Sequence, residues 1–394
     1  MCRLHRLFLV CALALLPILS ESAGAHPPKG GGGTRSVDVC SDGDRVHLLT
    51  AETATADSIH LLYRSSSDGG AIWSHPSRID EGMTPPFSPH RGMDPQIAGA
   101  GKRIVAAWTT AGTDRWGSGP IVTAWSDDGG ITWQPGPAPA DDGLTTGHGF
   151  LDLSADASGR FHLVWLDSRD GHQGLRYASS SDGGKSWNPN QTLQSETCEC
   201  CRNALAGGSG PLPAVLYRNR DPRDMRVIYR LPDDASWSQP MAAGQFDWKF
   251  DGCPHVGGGL AVTGDPGERR FHALVWTGEA SRSGVHYVRL REAAGAEADP
   301  LRFGSPFATH PDLAAHGQHL LAVWNESREA SLPLRQASSP NGGLNWSDAA
   351  PVPDAAPSAT HPIVVATDAG FLIVWTETPE GQASRWRSHR IDVP

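Results

Sequence analysis

Ser66-Ser67-Asp68-Gly69-Gly70-Ala71-Ile72-Trp73 is the first copy of a short sequence that this chain of 394 residues repeats. The copies share the spacing Ser-x-Asp-x-Gly-x-x-Trp. Later copies begin at Ser126, at Ser180 and, with asparagine in place of aspartate, at Ser339. An aspartate that caps its own turn, a glycine that takes positive φ and a tryptophan that packs over a hairpin explain this spacing. The repeat therefore predicts a β-hairpin that recurs along the chain.

The stretches between these hairpins alternate turns with short apolar runs that are typical of β-strands. Several predicted second strands end in tryptophan, as in Arg160–Trp165 and Gly370–Trp375. First strands are predicted to start about 55 residues apart, near Asp38, Asp94, Asp152, Asn203, Pro254, Pro311 and Pro362. This period, with four strands per unit, predicts an all-β fold: a single β-propeller of seven four-stranded blades, with six blades as the alternative.

The repeated hairpin is the Asp box, and the chain resembles the Asp-box (BNR-repeat), sialidase-like β-propellers over nearly its whole length. The resemblance implies glycoside hydrolysis by three arginines, a tyrosine–glutamate pair and an aspartate. However, the chain has no Arg-Ile-Pro sequence, and none of its five tyrosines lies in the last two units. They are Tyr63, Tyr177, Tyr217, Tyr229 and Tyr287. No catalytic residue can be transferred, so the catalytic residues are unknown and enzymatic activity stays open.

The N-terminal segment has the features of an export signal. Arg3 and Arg6 precede an apolar run, Leu7–Leu19, and the small residues Ala23-Gly24-Ala25. The predicted division is a signal peptide over 1–25, a flexible linker over 26–36 and the propeller over 37–394. The last unit stops near Ile391 after its third strand, so residues near the N-terminus are predicted to supply its fourth strand and close the ring.

Export predicts a protein of the bacterial periplasm or exterior. The apolar run is shorter than the about 20 residues that span a membrane, and no second such run follows, so no membrane span is predicted. The net charge of −10 disfavours nucleic acid as a partner. The remaining partner classes are a metal ion, an exported protein and a glycan.

The cysteine count is informative because an exported chain folds under oxidising conditions. Removal of the signal takes away Cys2 and Cys11 and leaves Cys40, Cys198, Cys200, Cys201 and Cys253. This odd number leaves at least one thiol unpaired unless a metal or a partner takes it. Cys40, on a predicted first strand, is expected to be a buried apolar side chain.

Potential ligands gather in the loops before the first strands, which converge near the axis on one face of a propeller. The loops hold His90 and Asp94 in blade two, His148 and Asp152 in blade three, Cys198, Cys200 and Cys201 in blade four, Asp251, Cys253 and His255 in blade five, His310 in blade six and His361 in blade seven. Arginines expected to reach this face are Arg91, Arg169, Arg202 and Arg328. Carboxylates two residues after strand-ending tryptophans either orient imidazoles or are ordinary loop ends: Asp167, Glu326 and Glu377.

Thiolate and imidazole ligands favour copper, with zinc as the alternative. The predicted metal-site residues are Cys198, Cys200, Cys201, Cys253 and His255, followed by His310 and His361. If the loop is extended, Cys198 and Cys200 point the same way and form a chelating pair, leaving Cys201 to pair with Cys253 or to bind a second ion. The competing interpretation is two disulfides, one of which would join Cys198, Cys200 or Cys201 to Cys253.

These observations predict an exported propeller with a Cys/His, copper-type site for metal handling or redox work. One alternative is a sialidase-like glycoside hydrolase or glycan-binding propeller. A second is a protein-interaction platform whose cysteines are structural disulfides.

Overall fold

The computed structural model describes residues 33–55, 58–113, 116–143, 147–206, 213–232, 236–327 and 333–393. Within these ranges the strands form seven antiparallel sheets. First strands of neighbouring sheets contact one another, so the sheets stand as blades around a central axis. The predicted all-β, seven-bladed propeller is confirmed, and the six-bladed alternative is excluded. No helix in these ranges has the length and apolar character needed to cross a membrane.

The first four blades each contain four strands in chain order, from the axis outward. Blade one contains β1 (Thr34–Asp42), β2 (Arg45–Thr55), β3 (Ser58–Ser66) and β4 (Ser77–Arg78). Blade two contains β5 (Gln96–Ala100), β6 (Arg103–Ala111), β7 (Ser118–Ser126) and β8 (Gln134–Gly136). Blade three contains β9 (His148–Ala155), β10 (Phe161–Asp167), β11 (Gly174–Ser180) and β12 (Gln191–Gln194). Blade four contains β13 (Ala204–Ala206), β14 (Ala214–Arg218), β15 (Met225–Tyr229) and β16 (Met241–Ala242).

The last three blades differ in strand number within the described residues. Blade five has β17 (Gly259–Thr263), β18 (Arg270–Thr277), β19 (Gly284–Arg291), β20 (Gly295–Ala296) and β21 (Leu301–Phe303). Blade six has β22 (Ala308–His316), β23 (His319–Glu326), β24 (Leu334–Ser339) and β25 (Ala350–Pro351). Blade seven has β26 (Thr360–Thr367), β27 (Gly370–Glu377) and β28 (Arg385–Asp392).

The ring closes near the chain ends. Thr34 N donates to Ser384 O over 2.9 Å, beside a parallel bridge between Gly33 and Ser384. The signal peptide predicted for 1–25, most of the linker predicted for 26–36 and the rest of the predicted closing strand lie outside the described residues. β1 begins at Thr34, before the predicted propeller boundary at residue 37, because Thr34 pairs with Glu52 of β2.

The repeated hairpin holds its predicted shape through side-chain hydrogen bonds. In the first copy, Asp68 Oδ1 accepts from Ser66 Oγ at 2.7 Å and from Ile72 N at 2.9 Å. Gly70 has a φ of 89°, and a Cβ there would lie 2.7 Å from Leu372 of blade seven. Glycine is therefore required both for the turn and for the close approach of the next blade.

Second strands form the core between blades, and every residue of β10, β14 and β27 is buried. Their apolar runs pack against a neighbouring blade on each side. The strand-ending indoles donate to the carboxylates two residues on: Trp165 Nε1 to Asp167 at 2.8 Å, Trp324 Nε1 to Glu326 at 3.3 Å and Trp375 Nε1 to Glu377 at 3.1 Å. These bonds give the carboxylates a structural role in fixing the tryptophans, and Asp167 also lies 3.9 Å from His148 Nε2.

Aspartates of the first strands join neighbouring blades. Their carboxylates accept hydrogen bonds from backbone amides of the next blade: Asp38 Oδ2 from Ile97 N at 2.7 Å, Asp152 Oδ2 from Leu205 N at 2.6 Å and Asp312 Oδ2 from Val364 N at 2.9 Å. Burial raises the pKa of all three carboxyls, that of Asp152 to about 7. These acids hold the ring together at the wall of the axial channel.

Histidine–tyrosine pairs recur between second and third strands of alternate blades. They are His47 Nδ1 with Tyr63 Oη at 2.8 Å, His162 Nδ1 with Tyr177 Oη at 2.8 Å and His272 Nδ1 with Tyr287 Oη at 2.7 Å. Burial lowers the pKa of His47 to about 4 and that of His272 to about 3. Three tyrosines are therefore committed to the core, in agreement with their predicted strand positions.

Candidate functional site

The cysteine loops of blades four and five lie side by side. Cys198, Cys200 and Cys201 fall between β12 and β13, and Cys253 falls between β16 and β17. The Sγ atoms of the first three lie within 4.8 Å of one another. We call these four residues the sulfur cluster. The blade period correctly predicted that these loops would be neighbours.

A disulfide between Cys200 and Cys253 joins the two loops, with 5.9 Å between the Cα atoms. This pairing was one of the alternatives for the cluster. It contradicts the other arrangement, in which Cys198 and Cys200 chelate a metal ion and Cys201 pairs with Cys253. The physical reason is local backbone shape: the chain bends at Glu199 and Cys200 instead of running extended, so the rule of alternating side chains fails.

The bend brings Cys198 and Cys201 together, with 3.0 Å between their Sγ atoms. Both side chains are buried, each in a residue only 1% exposed. The pKa of Cys198 is lowered, first by the hydrogen bond with Cys201 and then by the charges of Arg218 and Arg223. Burial raises the pKa of Cys201, as does that same hydrogen bond. These opposite directions favour ionisation of the Cys198 thiol over that of Cys201.

Arg218 ties both cysteine loops to blade four. Its Nη1 donates to Arg223 O at 2.6 Å, and its Nη2 donates to Val256 O at 3.1 Å and to Trp276 O at 2.8 Å. Its backbone oxygen accepts from Cys198 N at 3.0 Å. The guanidinium carbon lies 5.3 Å from the ring centroid of Trp248. Arg218 thus holds the Cys198 loop through its backbone oxygen and the connection that follows Cys253 through its guanidinium.

Sequence reasoning missed Arg218, although a signal was present. Three other second strands, β10, β23 and β27, carry a tryptophan followed by a carboxylate two residues later, whereas β14 ends in Tyr217-Arg218. Arg223 was also missed: its Nε donates to Phe250 O at 3.1 Å, and its Nη2 lies 3.5 Å from Glu199 Oε2. Both arginines lie outside the loop positions that the repeat pattern marked.

The predicted histidine ligands divide between two places. His255 is exposed and offers a ring nitrogen within 4.8 Å of the Cys200 and Cys253 sulfurs. His310 and His361 instead stack on each other, with ring centroids 3.7 Å apart. Within the described residues, no ligand group of three or more joins them to the cysteines. The structure therefore separates the predicted set into the sulfur cluster with His255 and a histidine pair in blades six and seven.

Two arginines accompany the histidine pair, and we call Arg91, Arg202, His310 and His361 the axial mouth. Arg91 donates to Asp94 Oδ1 at 2.6 Å and to His361 O at 2.7 Å. The pKa of His310 is lowered to about 3, first by burial and then by the charge of Arg202, and the pKa of His361 is lowered well below its ordinary value, chiefly by burial. The two imidazoles are therefore neutral at physiological pH.

Arg202 also lines the channel that runs along the axis. This cavity has a volume of about 990 Å³ and is bounded by first-strand residues from all seven blades. Among the described residues, no hydrogen bond or ion pair holds the Arg202 guanidinium, although its charge lowers the pKa of Asp152 against the larger effect of burial. The mouth thus combines a cationic group with neutral imidazoles. Arg328, also predicted to reach this face, lies outside the described residues.

His148 lies apart from both groups, in a buried junction between blades two and three. Its Nε2 is 3.1 Å from Asp142 Oδ2 and 3.9 Å from Asp167 Oδ2. Asp167 already accepts from Arg176 Nε at 2.9 Å and Arg169 Nε at 2.9 Å. These contacts make the junction an ion-pair network within the scaffold.

Comparisons with known proteins show the fold. Neither a protein-family model nor a curated protein matches the sequence. A PL25 ulvan lyase structure aligns with a TM-score of 0.57 at 9% identity, covering 92% of this chain and 94% of the lyase. The Hadza microbial sialidase Hz136 aligns with a TM-score of 0.50 at 12% identity, covering 91% and 66%. YCF48 bound to D1 peptide gives a TM-score of 0.50 at 12% identity, covering 88% and 90%.

The class of protein follows from the fold and these likenesses: a β-propeller with the sialidase-like architecture. In this chain the propeller carries the sulfur cluster at the junction of blades four and five.

Proposed function

We propose that this protein is an exported propeller that binds a copper(I)-type ion through Cys198 and Cys201. The observation that supports it is the buried pair of sulfur atoms 3.0 Å apart. Thiolates are the ligands that soft copper(I) prefers, and the thiolate of Cys198 is stabilised by Arg218 and Arg223. A modest separation of the two sulfurs would admit the ion between them.

The ligand count favours copper over zinc. Structural zinc is bound by four ligands in a tetrahedron. The Cys200–Cys253 disulfide removes two of the four clustered cysteines as thiolate ligands. His255 lies beside that disulfide and is grouped with it, not with Cys198 and Cys201. Two soft thiolates suffice for copper(I) but leave zinc two ligands short.

Copper loading tests the proposal. We expect protein purified without oxygen and loaded with copper(I) to retain about one copper ion per chain against a competing chelator. Cys198→Ser and Cys201→Ser should each abolish retention, because one thiolate cannot hold the ion. Cys40→Ser is the matched control, since Cys40 is a free cysteine on β1 of another blade.

Three results would contradict the copper proposal. One is the absence of retained copper in the wild-type protein. The second is equal loss in the Cys40→Ser control. The third is stoichiometric zinc in preference to copper, which would show that the disulfide opens to provide four ligands.

A second candidate function is the binding of an acidic glycan at the axial mouth. Arg202 supports it, because its guanidinium lines the channel without a hydrogen-bonded partner among the described residues. A guanidinium in this position suits a carboxylate or sulfate group. The similarity of fold to other propellers does not support glycan binding by this chain, because the aligned propellers share little sequence with it.

Glycan binding can be measured by calorimetry with uronic-acid and sulfated oligosaccharides. We expect Arg202→Gln to weaken binding at least about tenfold, which is the loss of one charged contact. Arg291→Gln, an exposed arginine at the end of β19, is the control and should leave the affinity unchanged. No binding by the wild-type protein, or equal binding by Arg202→Gln, would exclude this candidate.

A further inference from the structure

The sulfur cluster places a buried dithiol beside a disulfide. Cys198 and Cys201 are free, and Cys200 is bonded to Cys253. The Sγ atoms of Cys198, Cys200 and Cys201 lie within 4.8 Å of one another. Thiol–disulfide exchange needs an attacking sulfur, a central sulfur and a leaving sulfur in close proximity. All of these are present within one cluster.

We propose that the four cysteines form an internal disulfide relay, in which the buried Cys198/Cys201 dithiol and the Cys200–Cys253 disulfide exchange oxidation states. The relay goes beyond metal binding, because no metal takes part in it. Its chemistry is a redox exchange whose external substrate is a thiol or disulfide compound.

The exchange takes place in two steps. In the first, the Cys198 thiolate attacks Cys200 Sγ: a Cys198–Cys200 bond forms, the Cys200–Cys253 bond breaks, and Cys253 leaves as a thiolate. In the second, Cys201 loses its proton and attacks Cys198 Sγ, forming a Cys198–Cys201 disulfide and releasing Cys200. Two electrons pass from one pair to the other, and the proton that Cys201 loses is taken up by the released Cys200 or Cys253 thiolate, so no external oxidant is needed.

The burial of the four cysteines determines which of them can exchange with an external compound. Cys198 and Cys201 are each 1% exposed and cannot meet an external partner directly. Cys253 is partly exposed, and the neighbouring His255 is exposed. Exchange therefore transfers the reducing equivalents of the buried pair to Cys253, where a thiol or disulfide compound can reach them. It also converts the proposed copper ligands into a disulfide that cannot bind the ion.

Alkylation of the native protein tests the relay. All samples carry Cys40→Ser to remove the background thiol, contain a chelator, and start with one disulfide per chain. Only protein in which mass spectrometry first shows the Cys200–Cys253 disulfide, with Cys198 and Cys201 as free thiols, is used. Iodoacetamide is then added, and mass spectrometry maps the alkylated cysteines and the remaining disulfide.

We expect Cys253 to become alkylated without added oxidant while a Cys198–Cys201 disulfide accumulates. In Cys198→Ser, the attacking sulfur is absent, so Cys253 labelling should fall at least about tenfold, given that a serine hydroxyl does not exchange with disulfides. In Cys201→Ser, the second step is blocked, so a Cys198–Cys200 disulfide should be trapped with Cys253 alkylated.

Two results would overturn the relay. One is Cys253 that stays unlabelled in the folded wild-type background. The other is equal labelling of Cys253 in Cys198→Ser. The trapped Cys198–Cys200 disulfide keeps the proposal testable if Cys198→Ser does not fold. Since the chelator keeps metal away, failure of the copper proposal leaves these outcomes unaffected.

Discussion

Arg218→Met is expected to lower the free energy of unfolding by roughly 3 to 5 kcal/mol, because it removes a buried cation that satisfies several carbonyl groups. The Arg218 guanidinium donates to the backbone oxygens of Arg223, Val256 and Trp276. Methionine can fill part of the same volume but donates no hydrogen bond, so these three acceptors lose their partner. Each unsatisfied buried acceptor costs about 1 to 3 kcal/mol.

Denaturant unfolding of the purified protein measures this loss. Arg220→Met is the matched control: its guanidinium makes an exposed ion pair with Glu196 at 2.8 Å, and such pairs contribute only about 0 to 1 kcal/mol. Arg218→Met should also raise the pKa of the Cys198 thiol, because the charge of Arg218 lowers it, and the pH dependence of the thiolate absorbance measures this change. An Arg218→Met variant that is no less stable than Arg220→Met would contradict the role assigned to Arg218.

Repetition made the fold predictable from sequence. The Ser-x-Asp-x-Gly-x-x-Trp hairpin and the alternation of apolar runs both recur with one period, so the number of blades follows from the spacing of the predicted first strands. Local chemistry and global packing agree at these positions, as they do at Gly70, which serves both the turn and the contact with blade seven. The start of β1 at Thr34 was less predictable, because strand pairing there extends into a glycine-rich stretch.

The repeat also predicted which loops are neighbours, but not the contacts inside them. Cys198, Cys200 and Cys253 were assigned to adjacent blades correctly, since consecutive blades are adjacent in the ring. The disulfide pairing depends on the bend at Glu199 and Cys200, which leaves no periodic signal. Arg218 acts through backbone carbonyl groups, and any residue type can supply such groups, so the sequence does not identify its partners.

The division of the histidines has a geometric cause. Each blade is rotated about the axis relative to the one before it, so equivalent loop positions converge on one face without all meeting at one point. His310 and His361 belong to successive blades and stack on each other. His255 lies one blade earlier and contacts the disulfide side of the sulfur cluster. Equivalent position in the repeat therefore predicts the face of the propeller but not membership of one ligand set.

Removal of the Cys200–Cys253 disulfide is expected to lower the free energy of unfolding by about as much as Arg218→Met does. The bond closes a loop with a sequence separation of 53 residues, for which the chain-entropy model gives a stabilisation of about 4 kcal/mol. The loop spans blade four and both cysteine-bearing connections. Cys253→Ser is the preferred variant, because Cys253 is partly exposed and a serine hydroxyl there can reach water.

The effect is measured as the loss of unfolding free energy in denaturant for Cys253→Ser relative to the wild-type protein under non-reducing conditions. A reductant should lower the stability of the wild-type protein towards that of Cys253→Ser while leaving the variant nearly unchanged, since the variant lacks this cross-link. Cys40→Ser is the control, because Cys40 is a free cysteine and forms no cross-link to lose.

Equal stability of Cys253→Ser and Cys40→Ser would show that the contacts of Arg218, and not the disulfide, hold blades four and five together. Additive losses in Cys253→Ser combined with Arg218→Met would instead show that the two ties act independently at the same junction.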